Sequence, residues 1–146
     1  MIYGGLNHLV IVLAAAAGWI VGAVWYGMLA RHWVSALGKS MDQFKQEQAA
    51  LRGRPSSYLP FILAFVANLA MAWMVAWLLG HFGPGQATVK NGVLIGVAVW
   101  LGFVLTTITV NNAFGGRKYK LTLIDAGHWL AVLVVIGAIV GWRAIR

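Results

Sequence analysis

The chain contains no cysteine, which excludes disulfides, thiolate nucleophiles and thiolate metal sites. Acid is nearly absent as well. Asp42, Glu47 and Asp125 are the only acidic residues among 146, against 11 Lys and Arg. No phosphate-cradling glycine loop, haem signature or zinc-type His-x-x-x-His spacing occurs, so no cofactor or metal site is expected. No Lys or Arg precedes the first apolar run, since the chain opens Met1-Ile-Tyr-Gly-Gly-Leu-Asn-His8. A secretion signal needs a basic leading region and a shorter apolar core, so this run is expected to stay as a membrane span.

Oil is what the chain has in place of charge. Hydrophobic residues make up 61% and charged residues 10%, with a mean hydropathy of +0.80, too apolar for a soluble domain. A hydrocarbon core about 30 Å thick needs roughly 20 helical residues, and four runs are long enough: about 6–29, 58–80, 89–113 and 121–142. Beta-barrel strands would be about ten residues long and strictly alternating, a pattern absent here. The expected fold is all-α: a single four-helix transmembrane domain over residues 1–146.

Charge placement predicts how the bundle sits. Arg31, Lys39, Lys45, Arg52 and Arg54 follow span one, and Arg117, Lys118 and Lys120 follow span three, whereas Lys90, Arg143 and Arg146 fall on the opposite side. Eight basic residues against three put the two basic loops in the cytoplasm and both termini outside. Basic residues in short loops beside spans are explained by anionic lipid headgroups and topology, so no nucleic-acid partner is expected. Within the loop over 30–57, Ser40 and Gln43 form a capping pattern, and Met41, Phe44 and Leu51 recur at helical spacing before Gly53 and Pro55. This predicts a short helix over 41–52, lying on the membrane surface or serving as a solvated connector. The tight turn His81-Phe-Gly-Pro-Gly-Gln-Ala-Thr88 joins spans two and three, and Thr88 is placed to cap span three.

Small residues recur at four-residue spacing in three spans: Ala14, Gly18 and Gly22; Gly92 and Gly96; Gly137 and Gly141. Such stripes let membrane helices approach closely, either within one chain or between copies, and a symmetric homo-oligomer is expected. The stretch Gly18-Trp-Ile-Val-Gly22-Ala-Val-Trp25-Tyr also parallels Gly92-Val-Leu-Ile-Gly96-Val-Ala-Val-Trp100 with one insertion. Both stretches run in the same direction, unlike the inverted repeats of many transporters. Tyr3, Tyr58, Tyr119 and Trp142 fall near span ends as interfacial anchors. Trp25, Trp73, Trp100 and Trp129 lie deeper and read as structural. His8, His32 and His81 read as interfacial residues.

Polar residues within the oil mark the candidate site. Asp125 is the only acid inside a span, with His128 one turn along the same face, so the two can share a proton or a hydrogen bond. At 1.5 Å per residue, Asp125 lies about 6 Å and His128 about 10 Å inside the basic boundary. Asn111 and Asn112 approach that side from span three with Thr107 above them, Tyr26 ends span one there, and Asn68 sits near the midplane of span two. Every span can therefore contribute to one polar cluster. One reading is a path or pocket for a proton or small polar solute. The other is a structural clasp, in which Asp125 accepts from Asn111 or Asn112 and is reached by Lys118 or Lys120. Catalysis would need a nucleophile, metal set or second acid that the cluster lacks, so the protein is not expected to be an enzyme.

Gly22-Ala-Val-Trp25-Tyr26, Trp100-Leu-Gly-Phe103-Val-Leu-Thr106-Thr107, Asn111-Asn112, Phe114-Gly-Gly-Arg117 and Leu123-Ile-Asp125-Ala-Gly127-His128 together resemble the small bacterial membrane proteins of the unknown-function family numbered 1761. The resemblance covers nearly the whole chain. It implies four spans in the bacterial cytoplasmic membrane and brings no established activity, substrate or cofactor. This chain departs from the family's pattern at Gly27-Met28, where Ser-Pro is frequent, and at Asp125-Ala-Gly-His128, where Asn often stands first. Asn there implies that a charge is not required for the shared role.

Overall fold

The computed structural model describes residues 5–144, so Tyr3 and Arg146 lie outside the described residues. Seven helices occur among the described residues: α1 (His8–Met28), α2 (Ala30–Ala36), α3 (Met41–Leu51), α4 (Leu59–Gly80), α5 (Val89–Val99), α6 (Thr106–Phe114) and α7 (Tyr119–Arg143). A π-helical segment, Trp100–Leu105, joins α5 to α6 without a break, so these three form one 26-residue run, Val89–Phe114. With α1, α4 and α7 this gives four helices of membrane-spanning length and apolar character. The protein is an all-helical, multi-pass membrane protein.

Local chemistry sets where the helices start. The Asn7 side chain accepts from the Val10 N–H and Thr88 accepts from Asn91, each satisfying an otherwise orphaned donor. Ser40 and Gln43 bond reciprocally in a capping box at α3. The turn between α4 and α5 reverses through Gly83 and Gly85, both with positive φ, which a side chain would oppose. An even number of spans brings both described ends to one end of the bundle, where the Asn7 N–H donates to the Ala144 carbonyl at 2.7 Å. The opposite end carries α2, α3 and most of the basic residues and is called here the basic end.

α7 is the hub. It packs against α1, α4, α5, the π segment and α6, whereas α1 and α5 do not touch each other. Glycine makes this possible, because lipid offers no hydrophobic reward for helix association and close approach must supply dispersion contacts instead. Gly92 and Gly137 face each other so tightly that a Cβ on either would overlap the other's carbonyl oxygen. Gly96 lies equally close to the Leu133 carbonyl, and Gly141 to that of Thr88. The second and third glycine stripes therefore meet within one chain. The interior is small and apolar towards the terminal end, with Ala14, Ala72, Ala76, Val75 and Ile136 all fully buried. Large side chains such as Leu9, Ile20, Phe61 and Phe103 point outward, as a lipid-facing perimeter requires.

Two features were not anticipated. Residues 30–36, read as loop, form α2, whose Ala36 packs with Leu121 and Ile124 of α7, while Val34 is buried. A seven-residue helix that contains Arg31 and His32 carries no hydropathy signal of its own. The second is the π segment, a departure from 3.6-residue spacing that hydropathy cannot register. Threonines bond back onto its carbonyls: Thr106 Oγ1 donates to Gly102 at 2.9 Å, and Thr109 Oγ1 donates to Leu105 at 2.7 Å. In α3, Phe44 packs edge-on against Trp33 of α2 at 5.9 Å, so part of its apolar face meets protein. Tyr58, Tyr119 and Trp142 are exposed at span ends.

Gly92→Ala or Gly137→Ala is expected to destabilise the bundle by about 1–3 kcal/mol, the usual cost of overpacking. Gly27→Ala, with nothing near its Cβ position, is expected to be neutral. Unfolding of the detergent-solubilised protein by denaturant titration measures both.

Candidate functional site

Gly18, Gly22 and Tyr26 stand four residues apart and form one stripe of α1. Each faces a polar side chain. The Tyr26 hydroxyl donates to Asp125 Oδ1 at 2.8 Å. His128 covers Gly22 so closely that a Cβ there would sit 2.8 Å from Nε2. Asn68 of α4 covers Gly18, with its Oδ1 where a Cβ would lie and with Val132 and Ile136 beside it. Asp125, His128 and Asn68 thus face successive turns of α1, about 6 Å apart along the helix axis, from the basic end towards mid-bundle. Glycine is required at two of these positions, because any side chain would displace the polar group opposite.

The ladder is incompletely bonded. Asn68 is 2% exposed and His128 6% exposed, and Asn68 Nδ2 donates to the Ala64 carbonyl at 2.8 Å. Asn68 Oδ1 and His128 Nδ1 are the two buried side-chain polar atoms without a partner among the described residues. Buried polar atoms are normally paired, because leaving one unpaired costs on the order of 1–3 kcal/mol. Aromatic rings close the surroundings. Tyr26 lies 4.8 Å and Trp129 4.7 Å from the His128 ring, while Trp33 of α2 packs on Tyr26 at 5.4 Å and lies beside the Asp125 carboxylate.

The cluster expected from sequence is regrouped. Tyr26, Asp125, His128 and Asn68 belong to the ladder, supplied by spans one, two and four. Asn112 donates to Thr122 at 3.0 Å, and Lys118 Nζ donates to the Ser35 carbonyl at 3.2 Å, so both have partners other than Asp125. Asn111 and Thr107 are exposed on the flank of span three, whose α6 portion packs on no other span than α7. The π segment lies between α5, which is locked against α7, and these residues. An extra residue in one turn rotates all that follows by about 100°, so Thr107 and Asn111 do not continue the face by which α5 meets α7. The Asp125 clasp therefore runs from span four to span one, through a phenol. His81 bonds to the Trp77 carbonyl, and His8 and His32 are exposed.

Two residues that sequence reasoning left simply as structural fix the site. Trp25 of α1 donates its indole N–H to the Ile124 carbonyl at 3.1 Å, and Trp100 donates to the Ala126 carbonyl at 2.7 Å. A carbonyl has two lone pairs, so each can accept an indole without giving up its helical bond. Gly127 leaves room for the Trp25 ring, since a Cβ there would lie 2.9 Å from it. The repeated glycine-glycine-tryptophan pattern thus has a repeated physical role. In each copy the glycines bring the helix against α7 and the tryptophan grips the same short segment, which carries Asp125 and His128.

A multi-pass membrane protein of four helices, organised around a central span that carries a buried polar ladder, is the class these features define. A family model described as "Protein of unknown function (DUF1761)" matches residues 9–141, and the chain belongs to that family. No curated protein and no solved structure matches it.

In a double-mutant cycle, Tyr26→Phe and Asp125→Asn are expected to couple by about 0.5–2 kcal/mol, the range of interhelical hydrogen bonds in membranes. Additive losses in detergent unfolding would show that the 2.8 Å contact contributes no coupling.

Proposed function

We propose that the protein takes up and releases a proton at the ladder of Asp125, Tyr26, His128 and Asn68, from the basic end, and that it is not an enzyme. The orientation follows the charge asymmetry: the basic end faces the cytoplasm and both termini face out, in a bacterial cytoplasmic membrane. The observation that carries the reading is the pair of buried, unpartnered atoms, Asn68 Oδ1 and His128 Nδ1, on adjacent rungs. Ionisable and polar groups at such depth are costly and are commonly kept for a task. Close packing over Gly18 and Gly22 favours a proton over a larger solute. Above Asn68 the interior is formed by Ala14, Ala72, Val75 and Ile136, which offer no hydrogen-bonding side chain. The reading is accordingly one of protonation from one side rather than of conduction across the bilayer.

The second reading is a structural or accessory subunit of a membrane assembly, self-associating or joined to other proteins. It draws support from the two indole clamps, which give the ladder segment a purely architectural value.

Histidine-selective nitrogen NMR of the protein in lipid nanodiscs separates these readings. His128 signals are expected to change protonation state reversibly within the pH range that the fold survives. Asp125→Asn is expected to move that transition. Vesicles loaded with a pH-sensitive dye are expected to show no protein-dependent proton leak. A His128 ring fixed in one state across the range that the fold survives would remove the proton reading and leave the architectural one.

A further inference from the structure

A groove with a volume of 790 Å³ runs along the seam of α1 and α4 on the outside of the bundle, lined by Ala16, Trp19, Ile20, Tyr58, Ile62 and Phe65. It is separate from the ladder, and its size falls within the range of ligand sites, about 300–1,000 Å³. Its wall is wholly apolar, because the indole N–H of Trp19 is turned away to the Phe61 carbonyl at 3.2 Å. From Ala16 and Phe65 near mid-bundle it reaches Tyr58 at the basic end, the depth of one leaflet. A chain-like apolar ligand lying along the helices fits that shape.

The mouth supplies the second half of the argument. Tyr58 follows a single tight turn, Pro55–Ser57, in which the Ser57 N–H and its hydroxyl both donate to the Arg54 carbonyl at 2.9 and 2.7 Å. That turn joins Arg54, with Arg52 two residues before it, to Tyr58, the residue that lines the basic end of the groove. Neither arginine has a carboxylate. The chain's other acids are engaged elsewhere or distant in sequence: Glu47 pairs with Lys39 in the one ion pair among the described residues, and Asp125 accepts from Tyr26. An apolar slot one leaflet deep, opening beside two unpaired guanidinium groups, matches one ligand class in both parts.

We propose that the α1–α4 groove is a binding site for an anionic phospholipid, with an acyl chain along Trp19, Ile20 and Ile62 and the headgroup phosphate at Arg52 and Arg54. Guanidinium groups recognise phosphate oxygens through paired N–H donors, whereas a zwitterionic headgroup sets its own cation against them. A second copy of the chain is a poorer occupant. Copies inserted in the same orientation would bring the same arginines together at the same depth, with no acid between them.

The test uses the full chain in vesicles of phosphatidylcholine containing a minority of phosphatidylglycerol whose acyl chains are brominated and quench nearby tryptophan. The Trp19 contribution is defined by difference from Trp19→Phe. Quenching of that component is expected to exceed the value set by the mole fraction of brominated lipid, and brominated phosphatidylcholine at the same fraction is expected to show no such excess. Arg52→Gln with Arg54→Gln, both exposed, is expected to weaken the preference about thirty-fold, as two basic residues near a membrane surface contribute. Equal quenching by the two lipids would overturn the proposal, as would an unchanged preference in the double variant. So would a Trp19 shielded from both lipids, which would mean that protein occupies the groove.

Discussion

Backbone-to-backbone contact between α5 and α7 is the constraint on which the rest of the structure depends. In oil there is little gain in hiding apolar surface, so two helices stay together only where many atoms touch. Gly92, Gly137 and Gly141 remove the side chains that would hold α5 and α7 apart, and α7 is thereby drawn into the middle of the bundle. Once there, it presents its opposite face to α1 and α4. That face carries His128, Val132 and Ile136, and α1 meets it with Gly18 and Gly22. A polar imidazole can be held in the interior of a membrane protein only when its surroundings are shaped in this way.

The ladder is a consequence of the same economy of volume. Asn68 and His128 occupy the spaces that glycine leaves on α1, so the polar groups and the packing groups are complementary halves of one seam. This explains why the polar side chains of the ladder lie in close contact with the α1 backbone. It also explains why the polar residues of span three stand apart. Beyond Trp100 that span is held to α7 alone, and its Thr106 and Thr109 bond back onto carbonyls of their own helix.

Much of this was legible in the sequence. Four runs of sufficient length gave the spans, the Ser40 and Gln43 pair gave α3, and glycine spacing marked the helices that approach closely. Tyr26, Asp125, His128 and Asn68 stood out because polar residues are rare in such runs. Their pairing was not legible, for definite reasons. Asn111 and Asn112 looked closer to Asp125 than Tyr26 did because depth along a regular helix says nothing about which helices adjoin. Depth along span three likewise says nothing of which way Thr107 and Asn111 face. Trp25 and Trp100 read only as structural, because an indole's donor role depends on which carbonyl it meets, and that is a property of packing.

The two indole bonds have a mechanical meaning. They reach α7 from different helices and end on carbonyls two residues apart, so together they define its position along a screw. A slip of one residue moves a helix by about 1.5 Å and turns it by about 100°, which would break both bonds at once. α7 is thus indexed against α1 and against the head of the π segment.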